Sequence, residues 1–315
     1  MDRTPPDGGR TRLRIVTLLP SATEIVCALG LEERLVGVSH SCNYPPQVLN
    51  LPVMTSTHVP YTESSEIIDS YVREHLTDRE ALYDLDIDRL RDARPDVVVS
   101  QALCDVCAVS TGDVLEAIRT LPSKPALIDL EPNTLADVFN DIVRVGRQLE
   151  AGAAAEELVA GLRIRRDSIA ARTATVPMSE RPRVAFLEWL YPPFNGGHWN
   201  SELVELAGGI DLLGAPGQPS STLKWETVVN AQPDVVFIAC CGFRIERALE
   251  DVQRISQTDA WRQLPAVKNG RVYIADGNDY FTCPSPRLID GLEMMAHALH
   301  PELHPEPFGG ACHNV

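Results

Sequence analysis

A four-residue phrase, Pro-Asp-Val-Val, occurs twice in this chain, and it constrains the architecture more than any other feature. Arg94-Pro-Asp-Val-Val-Val99 is echoed by Gln232-Pro-Asp-Val-Val-Phe237. Each phrase follows a helical pattern and leads within a few residues to cysteine. The segment from Arg14, with its following helix and closing Gly30, is echoed by the segment from Arg183, a helix from Ser201 and the Gly208-Gly209 stop. A duplication of this kind predicts two similar lobes. Within each, short apolar runs alternate with helical patterns, the signature of βαβ units and a parallel sheet.

Strands are predicted at residues 14–19, 35–39, 96–100 and 126–130, and again at 183–189, 234–239 and 271–275. After the first strand, Pro20 and the capping box Ser21-Ala-Thr-Glu24 open a helix. From Thr134 to about Arg172 the pattern is helical, with Leu135, Val138, Ile142, Val145 and Leu149 on one face. Unbroken, that stretch would be a strut about 57 Å long at 1.5 Å per residue. Gly152 is the point where it would bend or split, the alternative being a pair of surface helices. The expected layout is a disordered N-terminus over 1–12, an N-terminal α/β lobe over 13–133 and a connecting helix over 134–172. A C-terminal α/β lobe over 180–300 and a loose tail over 301–315 complete it.

The 315 residues suffice for two domains of ordinary size. A formal net charge of -16 repels phosphate backbones and anionic lipids, which argues against nucleic-acid and membrane-surface roles. The first apolar run, Leu13 to Leu19, reads as a strand rather than as part of an export signal, and no stretch approaches the ~20 apolar residues of a membrane span. These features lead to the expectation of a cytoplasmic protein without membrane insertion. In that compartment the eight cysteines are not expected to form structural disulfides.

Ligands of open α/β sheets bind beyond the carboxyl ends of the strands. Six of the eight cysteines fall in the loops that follow predicted strands, and these loops are expected to rim one cleft. Cys104-Asp-Val-Cys107 has a spacing that recurs in zinc and iron–sulfur sites, but such a pair is half a site. Cys42 and Cys241 are the candidates for the other half, with Cys283 as a fifth thiol. Thiolates of this kind favour Zn, Cu(I) or an iron–sulfur cluster. The alternatives are thiols buried as small apolar groups and a redox pair. His198-Trp199 follows a Gly-Gly that lets a ligand approach the backbone, and imidazole is a metal ligand. Trp199, Trp189, Tyr44 and Phe243 offer flat faces to a large ring, against the alternative of core packing. Glu188 is a carboxylate at a strand end, and His40 is placed to ligate or to cap a turn. No P-loop, Gly-x-Gly-x-x-Gly or Gly-x-Ser-x-Gly motif is present, and catalytic residues are not identifiable.

Residues 15–26, Ile-Val-Thr-Leu-Leu-Pro-Ser-Ala-Thr-Glu-Ile-Val, with Ala28-Leu-Gly30, Leu35-Val-Gly-Val38 and the run from Asp259 to Tyr273, resemble the cobalamin and iron-chelate binding proteins. The resemblance implies the class III periplasmic-binding-protein architecture: two Rossmann-like lobes with central parallel sheets, joined by a long interdomain helix, with a ligand in the cleft. Cys42-Asn-Tyr-Pro45, the Gln101 to Ser110 segment, Glu188-Trp189, Gly197-His-Trp199 and Cys241-Gly-Phe243 resemble a cobalamin-binding branch without export signals. It implies a small-molecule ligand, a cobalamin or related corrinoid or another metal chelate. The contact candidates are Ser21, Tyr44, Glu188, His198, Trp199 and Phe243, and His198 is placed to be a lower ligand. Two other readings remain at this level. One is a metal or iron–sulfur protein, possibly an enzyme, with the cluster on Cys42, Cys104, Cys107 and Cys241. The other is the solute-binding component of an ABC importer whose true start lies upstream.

Overall fold

A computed structural model of the chain describes residues 12–78, 81–101, 109–305 and 312–315. The chain divides into two compact units, one of residues up to Thr57 with Tyr83–Leu130, the other of His58–Leu82 with Glu131–Val315. Sequence reasoning placed 58–82 in a contiguous first lobe. The structure assigns it to the second unit, where buried polar bonds described below hold it.

The first unit is built on β1 (Ile15–Thr17), β2 (Leu35–Gly37), β3 (Thr55–Thr57), β4 (Tyr83–Leu85), β5 (Val97–Gln101) and β6 (Ala126–Leu130). Four of these form a parallel sheet in the order β2-β1-β5-β6, while β3 and β4 pair as an antiparallel ribbon. All five residues of β5 are buried. This is why they read Val-Val-Val-Ser-Gln rather than alternating: a parallel strand is covered on both faces.

The second unit holds β7 (Arg183–Leu190), β8 (Pro193–Asn195), β9 (Ile210–Asp211), β10 (Val235–Ile238), β11 (Val272–Ala275) and β12 (Cys312–Asn314). Its parallel strands run β9-β7-β10-β11, with β8 and β12 antiparallel. The order around β7 repeats the order around β1. The wholly buried rings of Phe186, Phe237 and Phe281 sit 5.2–5.7 Å apart in its core.

The repeated phrase does the same work in both units. The backbone N–H of Arg14 donates to Asp96 Oδ2 at 2.8 Å, and that of Arg183 to Asp234 Oδ2 at 2.9 Å. Each aspartate returns its own N–H to the same arginine's carbonyl at 2.8 Å. The residue before each proline, Arg94 or Gln232, is left-handed (φ 44° and 49°) and ends the preceding helix. Proline then blocks helix continuation, and aspartate docks the outgoing strand beside the first.

The helical stretch splits just ahead of Gly152, into Leu135–Gln148 and Gly152–Thr173. Thr134 and Asp137 form the capping box of the first helix. The two helices pack tightly where they meet: a Cβ on Gly146 would lie 2.4 Å from that of Ala155. The stretch is therefore a helix pair within the second unit and not one straight rod. The expected loose tail also differs. Cys312–Asn314 is an edge strand on β11, and His300 and His304 are buried. Among the described residues no helix is long and apolar enough to cross a membrane.

Candidate functional site

In the first unit the strand order reverses between β1 and β5, which makes their carboxyl ends the place where a doubly wound sheet receives ligand. Ser21 stands there in the first turn of helix Pro20–Ala28, buried, its Oγ without a hydrogen-bond partner. Ser100 at the end of β5 carries a second buried, unpartnered hydroxyl. Tyr44 is exposed. His40 is tied through Nδ1 to Thr55 Oγ1 at 2.8 Å and lies against Tyr83.

Cys42 is buried, with its Sγ 2.9 Å from Thr23 Oγ1 and 3.3 Å from Ser39 Oγ. Burial pushes its thiol above the ordinary range, so it carries its proton at neutral pH. Cys104 and Cys107 lie outside the described residues. Cys241 belongs to the second unit and is exposed. Among the described residues no three His, Cys, Asp or Glu side chains are placed to hold a metal ion, and the residues present give the zinc or iron–sulfur reading no support.

The remaining predicted contacts lie in the second unit, and most are committed to its interior. Glu188, at the end of β7, accepts the N–H of Gly197 at 2.8 Å and the amide of Asn200 at 2.6 Å. Burial raises its pKa against the lowering effect of those donors. Its role is to clamp the Gly196–Asn200 loop to the strand. Trp199 is 4% exposed and gives its indole N–H to the carbonyl of Phe281 at 2.8 Å. Phe243 is 3% exposed, between the Trp189 ring at 4.6 Å and the Arg247 guanidinium at 4.4 Å. The flat faces expected of Trp199 and Phe243 are thus used for packing. His198 is partly buried in a left-handed conformation (φ 53°), with its ring against Trp199 and its Nδ1 unpartnered.

Among the described residues the second unit also carries an open surface groove that sequence reasoning missed. It has a volume of about 530 Å³ and is lined by Glu66, Asp69 and Ser70 of helix Ser65–Asp78, by Tyr191, Pro192 and Pro193 after β7, and by Leu223 to Glu226. Arg254 lies 4.4 Å from the Tyr191 ring centre. It also clasps Glu66 with two bonds of 2.6 and 2.8 Å. Trp225 is partly buried, edge-on to Trp261, and its indole N–H is buried without a partner. A donor in that state is costly unless a ligand or ordered water meets it. The sequence signal was present: a tryptophan between opposite charges, Lys224-Trp-Glu226, closing a loop rich in Gly, Pro and Ser. Neither Glu188, His198, Trp199 nor Phe243 lines this groove.

Three histidines make the fold acid-sensitive. Burial lowers the pKa of His40, His198 and His304 below the usual 6.5. The unfolded chain takes up these protons first as pH falls through that value. Stability is therefore complete above about pH 6.5 and declines below it. Asp276 works in the opposite direction, since burial lifts it to about 6 and the folded state takes up its proton first. The decline should accordingly set in just below pH 6.5 and be opposed by Asp276 from about pH 6 downward. Urea denaturation across that range is expected to show it, and His304→Gln, which removes a buried and unpartnered Nε2, is expected to flatten it.

With the fold and groove in place, comparison with known proteins is direct. The Periplasmic binding protein family model matches residues 15–278, and the chain belongs to that family. It is similar to the Vitamin B12-binding protein of Vibrio cholerae, at 24% identity over 290 residues, covering 90% of this chain and 87% of that one. The crystal structure of the periplasmic Vitamin B12 binding protein BtuF of Vibrio cholerae superposes with a TM-score of 0.67 at 23% identity, covering 91% of this chain and 96% of that one. The periplasmic heme-binding protein RhuT from Roseiflexus sp. RS-1, in apo form, gives 0.69 at 22%, covering 93% and all of the two chains. These likenesses establish the two-unit α/β fold.

Proposed function

We propose that the chain is a non-catalytic carrier that holds a corrinoid, a cobalamin-like metal chelate, by one edge in the groove of the second unit. The carrying observation is that Tyr191 and Trp225 both line this groove, and that the indole N–H of Trp225 has no partner among the described residues. Flat aromatic walls with one convergent donor suit a broad ring edged with amides, since the rings supply contact area and the N–H meets a carbonyl. The relatives named for vitamin B12 support the same ligand class. Calorimetric titration with cyanocobalamin, and separately with hemin, tests the proposal. One-to-one binding of cyanocobalamin in the micromolar range or tighter is expected. Heat from hemin alone would reassign the ligand, and heat from neither would remove the proposal.

We also place the protein in a reducing compartment, with the cytoplasm as the reading. Six free thiols among the described residues support this, including the adjacent Cys240 and Cys241. A membrane-impermeant maleimide should then label Cys241 only after cells are opened. Labelling in intact cells would contradict the assignment.

A further inference from the structure

We propose that helix Ser65–Asp78 is a releasable wall of the groove, which opens to admit the ligand and closes to hold it; the ligand half of this rests on the corrinoid reading above. The helix supplies Glu66, Asp69 and Ser70 to the lining, and Tyr191 to Pro193 with Leu223 to Glu226 supply the rest. It is fastened unevenly. At its start the buried Ser65 donates to the buried Asp251, and Arg247 reaches the Glu63 carbonyl at 3.1 Å and Ser65 Oγ at 3.2 Å. Beyond that point Ile68 is the one buried side chain among those described on the helix. Surface latches hold the remainder. Arg254 clasps Glu66, with side chains 48% and 42% exposed. Arg73 donates to Thr222 Oγ1 at 2.7 Å and lies over the Phe194 ring, and both Arg73 and Thr222 are exposed.

A helix of 14 residues is marginal in water by itself and depends on what it packs against. Elements with little buried apolar surface open far more readily than the core, and exposed polar latches each add little to hold them. The ends of the excursion stay closed as the helix lifts. The His58 N–H donates to the Leu82 carbonyl at 3.0 Å, next to the paired Thr57 and Tyr83. Opening therefore displaces one wall, while Tyr191 and Trp225, which lie outside the excursion, keep their places. The coupling runs both ways: a ligand touching both walls favours the docked helix, and looser latches speed entry and escape alike.

Native-state hydrogen exchange of the full chain tests the wall without ligand. Amides of 66–78 are expected to exchange by local opening that low urea does not change, while those of β10 follow global unfolding. Thr222→Val removes the acceptor of the Arg73 latch without altering a lining residue or the charge. With tryptophan fluorescence confirming the fold, it is expected to speed exchange over 66–78 about two- to fivefold. Stopped-flow mixing with cyanocobalamin should show association and dissociation both faster by a similar factor. A change of charge is absent from this variant, and a contact that only stabilises the fold would not speed association. Exchange over 66–78 that tracks β10, or that Thr222→Val leaves unchanged, overturns the proposal. Faster exchange with unaltered cyanocobalamin rates also overturns it and leaves the corrinoid reading standing. If cyanocobalamin does not bind, the corrinoid reading fails, and the exchange results alone decide whether the wall is releasable.

Discussion

Replacing Asp251 with alanine is expected to lower the unfolding free energy of the second unit by roughly 3 kcal/mol, a figure set by the loss of one partner from a buried ionic network. Asp251 is 2% exposed on helix Ile245–Ile255. Ser65 Oγ donates to its Oδ2, and Arg247 and Arg254 approach within 3.5 and 3.8 Å. The Arg247 guanidinium in turn donates to the Glu63 carbonyl at 3.1 Å and to Ser65 Oγ at 3.2 Å. Its NH1 is buried with no hydrogen-bond partner, and two carboxylates at 3.5 Å, the buried Asp251 and the exposed Glu250, offset that charge. Without Asp251 the Arg247 guanidinium loses its buried counter-charge, keeping only the exposed Glu250, and the Ser65 hydroxyl loses its acceptor.

The chain's four tryptophans, at 189, 199, 225 and 261, all lie in the second unit, so urea denaturation followed by tryptophan fluorescence reports on that unit directly. Asp251→Asn, which keeps a partner for Ser65 but removes the charge, is expected to lose about half as much, and Ser65→Ala about 1 kcal/mol, an ordinary hydrogen bond. Asp251→Ala with unchanged stability would show that the network does not fasten residues 58–82.

Trp225→Ala is expected to weaken cyanocobalamin binding at least about tenfold, the usual cost of removing an aromatic anchor from a binding site. Two contributions are lost together: the apolar face of the indole and its N–H. Trp225→Phe separates them by keeping an aromatic face without the donor. About a threefold to tenfold loss is expected there, the worth of one hydrogen bond. Parity of both variants with the wild type in calorimetry would move the ligand away from this groove. Tyr191 is a weaker test position, because its ring also packs under Arg254 and its removal disturbs the Glu66 clasp.

The architecture was legible because its determinants are local and repeated. The Pro-Asp-Val-Val phrase specifies a helix stop, a docking carboxylate and a buried strand in both units, and the structure shows the same bonds at Asp96 and Asp234. The split near Gly152 was legible as a glycine inside a helical pattern. The excursion over 58–82 was not, because its attachment depends on Ser65 and Asp251, which are 186 residues apart and individually unremarkable. The site was read less well for a related reason. Residues at strand ends were assumed to face the ligand, whereas Glu188, Trp199 and Phe243 turn inward to bond or pack within their own unit. Position along a strand predicts where a side chain begins. Its direction depends on neighbours such as Asn200, Phe281 and Arg247 that single-sequence patterns do not pair.

Hydrogen exchange with and without cyanocobalamin tests most directly whether the groove of the second unit is where ligand sits. Slowed exchange confined to peptides covering helix 65–78, residues 191–193 and residues 223–226 is the expected result. Slowing at 198–199 and 241–243, with those three segments unaffected, would contradict it.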